Sequence, residues 1–286
     1  MRKDFKLTPK LKEFLSYDLG YMDKTKYPNK LVDIPYYKDL KLDIYYPSIK
    51  KDKYPVFLII FGGGWISGNK EMRFIEDMIK PLQYGYACVV INYTLALDEI
   101  FPRDLIDVKM AIHFIHTYAS MYQFDTSDIT VWGESAGGHL ALEASLVPNH
   151  LLGLDIINTS VKNLVIFYPL VDINTIDKDI KLEKDKYVQE DSLIGALLGK
   201  NLYDEDILKL CSPINYINKD MPSLFLQHGL EDKLIPVSQS LELIEKMKEY
   251  PNIKFKYELL EHEDHATDTF FSDDNVKKII EFIQGE

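Results

Sequence analysis

Glycine is scarce in this chain. There are 14 in 286 residues, where average usage is about 7%. Cysteine and tryptophan are scarcer, with two of each. Cys88 and Cys211 lie too far apart for a disulfide framework, and neither stands in a zinc-ligand spacing. Cys88 sits in the apolar run Ala87-Cys88-Val89-Val90 and reads as a small core residue. Positive charge is also short. Lys and Arg number 33 against 45 Asp and Glu, so the net charge is −12. That disfavours nucleic acid or an anionic membrane as a partner. The longest basic run, Lys50-Lys51, is broken by Asp52. No apolar stretch approaches the length of a membrane span. The start, Met1-Arg2-Lys3-Asp4-Phe5-Lys6, lacks the apolar core of a signal peptide. A cytoplasmic protein is expected.

What is present is ordinary for a globular protein: 46% hydrophobic and 27% charged residues. Those values exclude disorder, collagen and coiled coil, and supply a large core. Strand patterns appear at Leu40–Tyr46, Val56–Phe61, Tyr86–Tyr93, Asp128–Trp132, Val161–Tyr168, Ser223–His228 and Lys254–Leu260. Helical patterns appear at Glu71–Tyr84, Arg103–Tyr122, Ala136–Val147, Val237–Tyr250 and Asp274–Ile283. Their alternation predicts an α/β fold: a mostly parallel central sheet of about eight strands, flanked by helices. One domain is expected over 1–286. It carries an N-terminal extension at 1–30, with a short helix ending near Gly20, and a cap-like insertion at 172–215. In such sheets, sites form at the carboxyl ends of the strands.

The few glycines concentrate at two such ends. Seven of the 14 lie in Gly62-Gly63-Gly64…Gly68 and Gly133…Gly137-Gly138. The second cluster reads Gly133-Glu134-Ser135-Ala136-Gly137-Gly138, between a strand and an Ala/Leu-rich helix. The Gly-x-Ser-x-Gly pattern is weak alone, but strand, sharp turn and helix form the context of a nucleophile elbow. The competing reading is a serine that merely caps a helix. In the first cluster, three glycines past a buried strand expose backbone N–H groups suited to an oxyanion hole. Nucleotide readings fit poorly. Asn69 displaces the P-loop lysine, Glu71 replaces its Ser/Thr, and Gly62, Gly64 and Gly68 miss the dinucleotide spacing. Ser67-x-x-Lys70 has no Lys-Thr-Gly partner.

A serine nucleophile needs a base and an orienting acid, in the chain order Ser, Asp/Glu, His. His113 and His116 precede Ser135, His139 and His150 follow it too closely, and His228 precedes the acid. His262 and His265 remain. In Gly229-Leu230-Glu231-Asp232, both acids qualify, and Asp232 is preferred. His262-Glu263-Asp264-His265 lacks a metal-binding spacing and a third ligand, so no metal is expected.

Together these residues resemble the α/β-hydrolase superfamily. The nearest branch is that of bacterial carboxylesterases related to hormone-sensitive lipase and to feruloyl-esterase-like and kynurenine-formamidase-like enzymes. The matching segments, in order, are LDIYYP, FGGGWISGNK, VVINYTLA, FPRDLIDVKMAIHFI, VWGESAGGHLAL, FYPLVD, CSPINYI, FLQHGLEDKLIPVSQS and EHEDHATDTFF. The resemblance implies a serine esterase acting on small carboxylic esters without a cofactor. It implies Ser135 as nucleophile, Asp232 as acid and His265 as base, with Gly63, Gly64 and Ala136 N–H groups forming the oxyanion hole. An arylformamidase-type amidase, a carbohydrate deacetylase or a feruloyl esterase would use the same groups. A hydrolase-fold binding protein without turnover is the rival of another class. Trp65 and Glu134 are expected to touch substrate, and a homodimer is the expected assembly. One departure stands out. Phe61 replaces the histidine that usually opens His-Gly-Gly-Gly, so packing must support the oxyanion loop.

Overall fold

Eight strands form the sheet: β1 (Lys30–Tyr37), β2 (Leu40–Tyr45), β3 (Tyr54–Ile60), β4 (Ala87–Ile91), β5 (Phe124–Glu134), β6 (Asn163–Phe167), β7 (Ser223–Gly229) and β8 (Phe255–Leu260). Their spatial order is β1-β2-β4-β3-β5-β6-β7-β8. β1, β2 and β4 pair antiparallel, and every pairing from β4 to β8 is parallel. The computed structural model describes residues 2, 5, 7–178 and 186–285.

The apolar runs fall where burial on both faces requires them. Val56 to Ile60 of β3 and all of β4 are fully buried. β1 is a strand that the pattern missed. Its Pro35 breaks a strand reading, and the sheet tolerates it because β1 is an edge.

The helices are α1 (Pro9–Leu15), α2 (Ile75–Met78), α3 (Arg103–Thr117), α4 (Ala119–Tyr122), α5 (Ala136–Leu146), α6 (Leu193–Leu198), α7 (Glu205–Leu210), α8 (Ser238–Met247) and α9 (Asp273–Gln284). α1 starts by rule: Thr8 Oγ1 accepts from the Leu11 N–H, and Pro9 stands at the first turn. The helix expected over Glu71–Tyr84 is corrected to the short α2 and a 3₁₀ turn, Lys80–Tyr84. Pro81 has no N–H to donate and disfavours helical geometry in the residue before it. The expected helix over Arg103–Tyr122 divides at Tyr118 into α3 and α4. Of the expected insertion at 172–215, residues 179–185 lie outside the described residues. The rest contains α6 and α7. Among the described residues, no helix is long and apolar enough to cross a membrane.

Candidate active site

Three parallel strands deliver the site. β5 ends at Glu134, and Ser135 follows with φ 52° and ψ −122°. A side chain in that region costs about 1–3 kcal/mol and persists only where the surroundings fix it. Here the Ser135 N–H donates to the Phe167 carbonyl of β6 at 3.0 Å, and its carbonyl accepts from the His139 N–H at 3.0 Å. Glycine makes this turn possible by close approach. A Cβ on Gly137 would lie 2.1 Å from the Ile60 carbonyl oxygen. α5 therefore packs its backbone directly on the end of β3, which brings the serine turn against the first glycine cluster. The helix-cap reading of Ser135 fails: its side chain makes no capping hydrogen bond.

Its Oγ instead lies 2.9 Å from His265 Nε2, and His265 Nδ1 lies 2.7 Å from Asp232 Oδ2. A carboxylate only accepts, so Nδ1 carries the proton and Nε2 is left to accept from the serine hydroxyl. Asp232 is held from both sides. Its Oδ1 accepts from the Leu234 and Ile235 N–H groups, each at 2.8 Å. Burial pushes the Asp232 pKa up, but hydrogen bonds from His228 and His265 outweigh it and hold the carboxyl well below its usual range. His262 is 87% exposed and pairs with Glu231, so neither alternative joins the trio. The two loops are laced together. Asp264 bridges the Lys233 N–H and Nζ, and Glu231 N–H donates to the Glu263 carbonyl. The four residues His262 to His265 thus diverge to different partners.

Chain order sets His228 aside, yet it is fully buried next to Asp232. Its Nε2 lies 3.2 Å from Asp232 Oδ2 and 3.0 Å from the Ile235 carbonyl, and its Nδ1 lies 2.7 Å from Ser240 Oγ. Facing two acceptors, Nε2 bears the hydrogen, and Nδ1 accepts from the hydroxyl. The sequence signal was its place in the His-Gly-x-x-Asp segment, three residues before Glu231.

The first glycine cluster turns sharply. Gly63 has φ +111°, and a Cβ there would lie 2.3 Å from the Ser67 carbonyl oxygen. The Gly63 carbonyl accepts from Ile66 and Ser67 N–H. In a trans peptide, N–H and C=O point opposite ways, so the Gly64 N–H turns away from that bend. Among the described residues, no protein acceptor takes the N–H of Gly63 or Gly64. Ala136 is the first residue of α5, where N–H groups lack intrahelical partners.

Phe61 is buried, and its ring stacks on Tyr93 with centroids 4.5 Å apart. The Tyr93 hydroxyl donates to the Phe61 carbonyl at 3.0 Å. Glu134 supplies a second anchor, because its carboxylate accepts from the Gly62 N–H. The same side chain lines the cavity in front of Ser135, where substrate contact is expected of it. Burial pushes the Glu134 pKa up to about 7, while the nearby His265 and the Gly62 N–H pull it down. The buried Tyr168 ring packs on His265 at 4.4 Å.

A cavity of about 370 Å³ opens on Ser135, Gly62 to Gly64 and His265. A second, of about 460 Å³, adjoins it and is lined by Trp65. Trp65 does not line the first. Its indole N–H donates to His139 Nδ1 at 3.2 Å.

His139, Glu143 and Cys211 are one buried set of possible metal ligands. They do not fit a metal. Trp65 occupies the His139 Nδ1 lone pair, and Nε2 lies 3.0 Å from the Cys211 carbonyl, which only accepts. Nε2 therefore carries a hydrogen and offers Glu143 and Cys211 Sγ no lone pair to share a cation.

The family model described as BD-FAE matches residues 42–247. A probable carboxylic ester hydrolase of Mycobacterium tuberculosis, LipM, is 30% identical over 75% of this chain and 49% of its own length. The chain thus spans about half the length of that relative. Among solved structures, a bifunctional GH43-CE protein of Bacteroides eggerthii aligns with TM-score 0.77 and 29% identity over 90% of this chain and 35% of that one. A truncated carbohydrate esterase from gut microbiota aligns with TM-score 0.79 and 24% identity, covering 93% of this chain and 98% of that one. The architecture is the α/β-hydrolase fold.

Proposed function

The chain belongs to the BD-FAE family, and we propose that it is a serine hydrolase of carboxylic esters, with Ser135, His265 and Asp232 as its catalytic triad. The observation that carries this reading is the continuous chain from Asp232 Oδ2 through His265 to Ser135 Oγ, at 2.7 and 2.9 Å. Both spans lie within reach for proton transfer.

Ser135 Oγ attacks the ester carbonyl as its proton passes to His265 Nε2. Asp232 holds the imidazole in the required tautomer and supports the imidazolium. The Gly63, Gly64 and Ala136 N–H groups take the negative charge on the former carbonyl oxygen. The tetrahedral species collapses, the C–O bond to the alcohol breaks, and Nε2–H protonates the departing alkoxide. Water then repeats the sequence on the acyl-enzyme and frees the acid and Ser135. An amide or a carbohydrate ester would pass through the same steps, so a substrate panel separates these classes.

Replacing Ser135 by Ala is expected to lower hydrolysis of p-nitrophenyl acetate by about 10⁶-fold while circular dichroism stays unchanged. Wild-type rates in that variant would overturn the reading. So would a wild-type protein inert to a fluorophosphonate.

A further inference from the structure

The two cavities are neighbours with a wall between them. Phe14, Tyr17 and Leu234 line both, while Ser135 and His265 line only the smaller. The wall stands on the glycine loop itself. A Cβ built on Gly64 would meet Leu193 methyl carbons at 2.9 Å and Phe14 Cζ at 3.1 Å. The phenyl ring and the leucine side chain therefore close over the very residue whose N–H faces the reacting carbonyl.

These two side chains come from separate elements. Phe14 belongs to α1, near the start of the chain, and Leu193 opens α6, in the insertion. Both helices are fixed at their beginnings: Thr8 Oγ1 accepts from Leu11 N–H, and Ser192 Oγ accepts from Gly195 N–H. Leu11 is buried in the core, one helical turn from Phe14. Phe14 also lies outside the 42–247 stretch that the family model matches, so membership of that family assigns it nothing.

From this geometry we infer that Phe14, seated against Leu193, is a specificity-determining residue that restricts the enzyme to esters with a short chain on the Ser135 side. The inference rests on the ester-hydrolase reading above. A short chain fits the 370 Å³ space. A longer one that extends toward Gly64 meets the Phe14 ring, which lines both spaces and has the 460 Å³ space on its other side. Removing the ring joins the two.

The test uses p-nitrophenyl acetate, butyrate and octanoate with the full chain, active sites being counted by phosphonate titration. Wild type is expected to prefer acetate or butyrate to octanoate by about tenfold or more in kcat/KM, since each misfitted methylene is worth about that factor. Phe14→Ala is expected to raise the octanoate-to-acetate ratio about tenfold or more, chiefly through KM for octanoate, and Phe14→Trp to lower it. Leu193→Ala, on the other element, should move the ratio in the same direction as Phe14→Ala and serves if that variant fails to fold. Ester turnover with no chain-length preference in wild type, or with a ratio unchanged in both alanine variants, overturns the partition alone. No ester turnover by wild type overturns the hydrolase reading and the partition with it.

Discussion

A carboxyl group poised near neutral pH beside Ser135 gives this site a pH dependence of its own. Glu134 has an ordinary pKa of 4.5 and is pushed up to about 7 in the folded chain, first by burial. Between those values the folded chain holds a proton that the unfolded chain has lost. Its contribution to stability is therefore full below 4.5 and lost as pH rises through 7. Glu134→Gln carries no such group. Relative to wild type, that variant should gain up to about 3 kcal/mol between pH 4.5 and 7, read from denaturant melts at each pH. A constant difference would contradict this. Asp232 behaves oppositely. Its lowered pKa contributes stability that is present above 3.8 and lost only as pH falls through the folded value. Protonation of Asp232 should therefore not set the acid limb of activity. Asp232→Asn should cost about 10⁴ in kcat, by favouring the wrong imidazole tautomer, with little change in KM. Chain order and loop position narrow the candidates to Glu231 or Asp232 and His262 or His265, and the family resemblance implies the pair that lies next to Ser135. The double role of the Asp232 neighbourhood was not legible in the sequence. Whether His228 touches the acid depends on how the loop after β7 folds back, and spacing does not encode that.

At the scale of elements, the site depends on how closely strands and helix approach. α5 meets β3 through the Gly137 Cα, with 2.1 Å between a would-be Cβ and the Ile60 oxygen. Gly137→Ala should therefore destabilise the protein by about 1–3 kcal/mol or more and lower kcat together with it, both measurable on the purified variant. The Phe61 position is held by other means than the usual histidine. Tyr93→Phe deletes one hydrogen bond to the Phe61 carbonyl while keeping the ring stack. It should cost about 1 kcal/mol in stability, seen as a shift in the denaturation midpoint. The buried strands were readable because apolar runs bounded by turns have few alternatives. The failures have local causes. β1 hides behind Pro35, which only an edge position accommodates. The apolar pattern of Glu71–Tyr84 continues past Pro81, so periodicity survives where helical hydrogen bonding stops.

Over the whole molecule, a cluster of charges fastens the glycine loop to the sheet edge and to the N-terminal region. Asp43 of β2 is fully buried, with Lys70 Nζ and Lys24 Nζ each 2.7 Å from its carboxylate. Lys70, which the glycine spacing almost placed in a P-loop, is itself 2% exposed and committed to these pairs. Asp43→Ala leaves buried positive charge with fewer partners and should cost about 3 kcal/mol or more, measured by chemical denaturation. The sequence alone determined the fold class, because alternating buried strands and helices permit few right-handed arrangements. It also singled out the serine turn and the acid and histidine loops, because covalent order and glycine placement are properties of the chain. Only the tertiary structure decided what surrounds them: Glu134 on the Gly62 N–H, His228 behind Asp232, and Phe14 with Leu193 over Gly64. The first and third of those contacts join residues 50 to 179 positions apart in the chain, while His228 and Asp232 are only four apart. They are set by where loops and helices pack once the sheet exists, which no local pattern of residues encodes.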